Sequence, residues 1–79
     1  MSYKIDLHGL THYEAIRIVE NELILNSIYK YETVEIITGK SIPLQEKLIK
    51  EVIERYDFEW HIPPNNTGMI IVSENIMFI

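Results

Sequence analysis

Cysteine is missing altogether from these 79 residues, which removes disulfides, thiolate catalysis and cysteine-ligated zinc together. Stability must then come from packing, and any metal from histidine or carboxylates. Long apolar runs are also missing. None approaches the roughly 18 residues of a membrane span, and Met1-Ser2-Tyr3-Lys4 has neither the apolar stretch nor the cleavage site of a signal peptide. The expectation is a cytoplasmic protein with no membrane partner. Basic residues are scarce: seven Lys and Arg stand against twelve Asp and Glu, a formal net charge of −5. That balance opposes charge-driven adhesion to phosphate backbones, so any nucleic-acid site must be local. No repeat, linker or low-complexity tract divides the chain, and so short a chain cannot hold two cores. We expect one domain over residues 1–79, with a core at about 3–74 and an apolar tail at 75–79.

Tyr3-Lys4-Ile5-Asp6-Leu7-His8 alternates with period two, the pattern of a strand with one apolar face. Gly9-Leu10 breaks it, and Thr11 with Glu14 three residues on forms a capping box that opens a helix to about Asn26. Ala15, Ile16, Val19 and Leu23 are its core stripe. Thr33-Val34-Glu35-Ile36-Ile37-Thr38, rich in β-branched residues, is a second strand ending at Gly39 and completing a parallel βαβ unit. Pro43 starts a second helix that runs to about Tyr56, with Leu44, Leu48, Val52 and Tyr56 on one stripe. Asp57 to Ile62 alternates again, with Phe58 and Trp60 expected in the core. Turn residues fill Pro63 to Gly68, and Met69 to Ser73 is a last strand.

The order is βαβαββ. Each helix has one apolar face, and three strands keep a polar side. The expected fold is therefore an α/β, or α+β, two-layer sandwich, a four-stranded mixed sheet with two helices on one face. Lys4, Asp6, His8 and Glu35, with Glu59 and His61, then belong to the open face.

In a parallel pair the loops after both strands emerge at one edge, where ligands of open α/β sheets bind. Those loops are His8-Gly9-Leu10-Thr11 and Gly39-Lys40-Ser41-Ile42. Two helices begin there, and their free N–H groups and positive dipole ends suit an anion such as phosphate. Gly9, Thr11, Gly39, Lys40 and Ser41 are the candidate phosphate-binding residues. His8 is the natural proton carrier near neutral pH, with Asp6 two positions away on the same strand face. Gly39-Lys40-Ser41 imitates the end of a P-loop, but Val34 occupies the position where that motif needs its first glycine, and a nucleotide P-loop is rejected. His8 and His12 have no evident third ligand, so the residues themselves indicate no metal and no cofactor.

Ile5-Asp6-Leu7-His8-Gly9 at a strand-to-helix junction, a second strand ending in Gly39-Lys40, then Pro63-Pro64-Asn65 and a last strand after Gly68 resemble the Smr (small MutS-related) domain over about residues 5–74. The second signature of that family, H-G-x-G-x-G, is half present: Thr38 stands for its His, Gly39 and Lys40 fit, and Ser41 stands for the next glycine. The resemblance implies a fold similar to the C-terminal domain of a bacterial translation initiation factor. It also implies an endonuclease that cleaves RNA or nicks DNA, metal-independent or loosely metal-linked, with Asp6 and His8 on the catalytic positions.

The leading expectation is RNA-directed phosphodiester cleavage with His8 as acid/base. In this scheme Asp6 orients its ring, and Lys40 with backbone amides stabilises the phosphorane. The alternative is a catalytically degenerate module that binds RNA, a ribosome or a protein partner. Ile76-Met77-Phe78-Ile79 is an apolar tail that either packs or mediates self-association or a protein contact.

Overall fold

The computed structural model describes residues 2–27 and 33–73. Its elements are β1 (Ser2–Asp6), α1 (His12–Asn21), β2 (Thr33–Ile37), α2 (Ile42–Leu48), β3 (Glu59–His61) and β4 (Met69–Ser73). The expected βαβαββ order holds. Both helices run on into π-helical turns, Glu22–Ser27 after α1 and Ile49–Ile53 after α2. The second expected helix thus ends three residues early. Asp57 enters the left-handed region at φ 65°, and the Phe58 N–H donates to the Ile53 carbonyl at 2.9 Å. This is the left-handed C-terminal closure that usually takes glycine.

The four strands form one sheet in the order β1-β2-β4-β3. β1 runs parallel to β2, while β4 lies antiparallel to both β2 and β3. Ile5, Leu7, Val34, Ile36, Ile70 and Val72 point to one side, where they pack against Ala15, Val19 and Leu23 of the first helical segment and Leu44, Leu48, Val52 and Ile53 of the second. Both helices therefore cover the same sheet face. This buried cluster is the hydrophobic driving force of the fold.

The opposite face carries one row across all four strands, Lys4–Glu35–Ile71–His61, and a second row Asp6–Ile37–Met69. The polar residues expected there are present. The same register adds Ile37, Met69 and Ile71 at its centre, all half-buried, so this face is less polar than its outer strands suggest. Phe58 packs against the core. Trp60 does not fill the core as expected: it sits on the short edge strand β3, 37% exposed, and its indole N–H donates to Glu54 Oε2 at 3.2 Å. An edge strand covers an aromatic side chain from one flank only.

Among the described residues no helix is long and apolar enough to cross a membrane. The apolar tail at 76–79 lies outside the described residues.

Candidate functional site

The parallel pairing of β1 and β2 continues one residue past β1, because the Leu7 N–H donates to the Ile37 carbonyl at 3.0 Å. Leu7 is buried under the helices, which fixes the strand end and turns its neighbours Asp6 and His8 outward. The chain then reverses: the Leu10 N–H donates to the Leu7 carbonyl at 3.2 Å, with Gly9 at φ 80°. A type II turn demands that angle at its third position, and only glycine adopts it without strain. Asp6 secures the same reversal, since its Oδ1 accepts from the His8 backbone N–H at 2.9 Å. The carboxylate therefore sets the direction of the His8 main chain, whereas the sequence reading assigned it to the imidazole ring.

The loop after β2 is held more elaborately. The Gly68 carbonyl accepts from both Thr38 N–H (2.9 Å) and Gly39 N–H (3.0 Å). A Cβ on Gly68 would stand 3.2 Å from the Gly39 carbonyl carbon, so the two glycine backbones are in close approach. Gln45 projects from α2 beneath them. It is 2% exposed, and its Nε2 donates to Thr38 Oγ1 (2.9 Å) and to the Thr67 carbonyl (2.8 Å). Thr38 Oγ1 in turn donates to the Gly39 carbonyl at 2.7 Å. An amide, a hydroxyl and two glycine backbones thus lock the second loop to the segment before β4.

Between these two loops lies a cleft of about 220 Å³ lined by Asp6, His8, Ile37, Thr38 and Gly39. Three residues singled out from the sequence, Asp6, His8 and Gly39, share its wall. Gly9 shapes the turn beside it, while Lys40 is exposed, one residue beyond the wall. Thr11 and Ser41 serve the helices directly. Thr11 Oγ1 accepts from Glu14 N–H at 3.1 Å while Glu14 Oε1 accepts from Thr11 N–H at 3.0 Å, and Ser41 Oγ accepts from Leu44 N–H at 3.4 Å. Both hydroxyls are engaged as N-caps. The Thr11 backbone N–H first, and its hydroxyl second, hold the Glu14 carboxyl below its usual range. Among the described residues no cluster of His and carboxylate side chains is arranged to hold a metal ion.

Sequence reasoning missed Gln45, Gly68 and the structural part of Thr38. A signal for Gln45 was available: it adjoins Leu44 and lies three residues before Leu48, a polar residue on an apolar helix face, which demands internal partners. Gly68 gave no such signal, because its neighbour Gly39 is distant in sequence.

Comparison with curated proteins gives no match. Among solved structures, the crystal structure of the Smr domain of Thermus thermophilus MutS2 is similar, with a TM-score of 0.69 and 25% sequence identity, over 94% of this chain and 99% of that one. The sequence model of the Smr domain matches residues 5–71. This span begins on β1, takes in both cleft-forming loops and the buttress at Gly68, and ends on β4: the chain belongs to the Smr domain family.

Proposed function

We propose that this protein is an RNA-directed endonuclease whose reacting phosphate enters the cleft between the two loops. Membership in the Smr family, a fold associated with nucleases and nucleic-acid binding, supports a nucleic-acid ligand. The single observation that carries the reading is the cleft itself, which brings the His8 segment and the Gly39 backbone onto one wall. At about 220 Å³ it is smaller than the roughly 300–1,000 Å³ of ordinary ligand pockets, and fits a phosphate group better than a whole nucleotide.

In this reading the 2′-hydroxyl attacks the adjacent phosphorus, the bond from phosphorus to the 5′-oxygen breaks, and a 2′,3′-cyclic phosphate and a 5′-hydroxyl result. His8 exchanges a proton with the 2′-hydroxyl or the leaving oxygen, a contribution of about 10²–10⁴-fold. The Lys40 ammonium offsets the charge that grows on the phosphorane, since the His8, Thr38 and Gly39 amides on the wall already donate within the chain. Asp6 acts one step removed, holding the His8 main chain. The test is incubation of the purified protein with structured RNA and with supercoiled DNA. His8-dependent RNA products ending in cyclic phosphate are expected, and equal cleavage by wild type and His8→Ala eliminates the assignment.

A second reading, a binding module without turnover, has its own support. Thr38 stands where the family signature has His, and its hydroxyl is engaged with Gln45 and Gly39, leaving His8 the sole imidazole on the cleft wall. Retained RNA binding with no cleavage of any RNA tested favours it.

A further inference from the structure

A cleft of about 220 Å³ has room for one phosphate of the proposed substrate, so the rest of a bound strand must lie elsewhere. On the helical side of the molecule a cavity of about 530 Å³ opens between the two helices, large enough for a base and its phosphate. Its α1 wall is Tyr13, Ile16, Arg17 and Glu20, spaced i, i+3, i+4, i+7 along one stripe. Its other wall is Lys50, Glu51 and Arg55. Lys50 and Glu51 belong to the π-helical turn after α2, a distortion that recurs at functional sites. A second cavity, of about 300 Å³, shares Lys50 and Glu51 and extends toward Pro43 and Lys47. The two make one groove. Arg17, Lys47, Lys50 and Arg55, on its walls beside the carboxylates of Glu20, Glu46 and Glu51, are four of the seven Lys and Arg residues of a chain with net charge −5.

The groove starts at the sheet edge that also carries the cleft. Tyr13 is the second residue of α1, and Pro43 the second of α2. Both helices begin at the edge bearing His8 and Gly39, so the N-terminal end of the groove lies at the same edge of the sheet as the cleft, on the helical side, and a strand joining the two must pass around that edge. From Tyr13 to Glu20 the groove runs about 10 Å along α1. Tyr13 is 69% exposed. Arg17 lies over its ring at 5.7 Å and donates to its hydroxyl at 3.1 Å. At the far end Arg55 lies over the Tyr56 ring at 5.6 Å, and the Tyr56 hydroxyl donates to Glu20 Oε2 at 2.8 Å. That bond engages one of the groove's carboxylates internally. Paired aromatic and guanidinium planes with nearby ammonium groups are the chemistry that stacks unpaired bases and tracks their backbone.

We infer that the groove between the two helices carries a single-stranded segment of the nucleic acid whose phosphate occupies the cleft, with a base on Tyr13 and backbone phosphates on Arg17, Lys50 and Arg55. This inference rests on the nucleic-acid reading of the cleft. It assigns strand binding to a surface on the far side of the helices from the open sheet face.

The test is the affinity of the full chain for a single-stranded 2′-O-methyl RNA 12-mer, which has no attacking hydroxyl and stays intact, at several salt concentrations. Tyr13→Ala is expected to weaken binding by roughly 5- to 150-fold, and to have little effect on an abasic strand of the same length. Lys50→Gln is expected to lower the slope of log affinity against log salt by about 0.7. Glu51→Gln is expected to tighten binding by about 2- to 5-fold, a gain that misfolding cannot imitate. Binding unchanged in all three variants overturns the groove while leaving the cleft reading intact, because His8-dependent cleavage is measured separately. No binding by the wild type overturns the groove, and the cleft reading falls only if His8-dependent cleavage is also missing. Equal binding of poly-glutamate, weakened equally by Lys50→Gln, overturns the nucleic-acid strand in favour of an acidic peptide.

Discussion

Gln45 donates its side-chain amide to Thr38 Oγ1 at 2.9 Å, tying the first turns of α2 to the loop that ends β2. Gln45 is the one buried polar side chain among the described residues, and the Thr67 carbonyl depends on the same amide. Gln45→Leu keeps the volume and strands those acceptors, at an expected cost of about 1–3 kcal/mol, read by chemical denaturation. Gln45→Glu replaces the donor by a buried acceptor facing carbonyls. Desolvation raises the pKa of such a carboxyl above its unfolded value, so the folded state binds the extra proton. The variant should gain stability as pH falls into the acid range, opposite to the usual carboxylate trend. A Gln45→Glu variant as stable as wild type at neutral pH would contradict this account.

The approach of Gly68 to Gly39 predicts a difference between two alanine substitutions. At Gly68 an added Cβ meets Gly39 backbone atoms at 3.2 and 3.3 Å, and that backbone is itself bonded to Gly68. Gly68→Ala should cost about 1–3 kcal/mol and displace the cleft wall, lowering RNA affinity. At Gly9 nothing lies within 4 Å of an added Cβ, but φ is +80°. Gly9→Ala should therefore cost about 1–2 kcal/mol of conformational strain alone, and Gly9→Asn less. Equal destabilisation by Ala and Asn at position 9 would show that the turn angle is not the cause.

The capping box sets a pH dependence. Its hydrogen bonds hold the Glu14 carboxyl below its ordinary value, so the ionised form is favoured in the folded state. Stability from this group is complete above the unfolded carboxylate pKa and is lost as pH falls through the lower, folded one. Thr11→Ala should cost about 1 kcal/mol near neutral pH and flatten the acid limb of the stability curve. An unchanged acid limb in thermal melts from pH 7 to 3 would rule the box out as its source.

Asp57 offers the converse case, a gain. Its φ of 65° is tolerated by Asp but unstrained only in glycine. Asp57→Gly should raise stability by up to about 1 kcal/mol. Strand binding should be unaffected, because Asp57 lines neither the cleft nor the groove. A lower melting temperature would mean that the Asp side chain contributes more than its backbone angle costs.

Most of the architecture was legible because it rests on short-range rules. The alternation from Tyr3 to His8 and the β-branched run from Thr33 each specified a strand, and the Thr11–Glu14 spacing specified a helix start. The cleft was legible in outline, since a parallel pair must place the ends of β1 and β2 at the same edge. The helix ends were less so: the π-helical turns over Glu22–Ser27 and Ile49–Ile53 keep the apolar stripe of an ordinary helix and leave no mark in its spacing.

Short-range pattern along the chain specifies the strands, the helix caps, the single covered sheet face and the arrival of His8 and Gly39 at a common edge. Each of these follows from periodicity or from residues a few positions apart. What faces what at that edge is set only once the chain has folded. Folding sets Gly68 against Gly39, places Gln45 under Thr38, directs the Asp6 carboxylate to the His8 main chain, and gathers Arg17, Lys50 and Arg55 into one groove. Hydrogen bonds and van der Waals contacts act over only a few ångströms, so residues distant along the chain interact only once the core has brought them together.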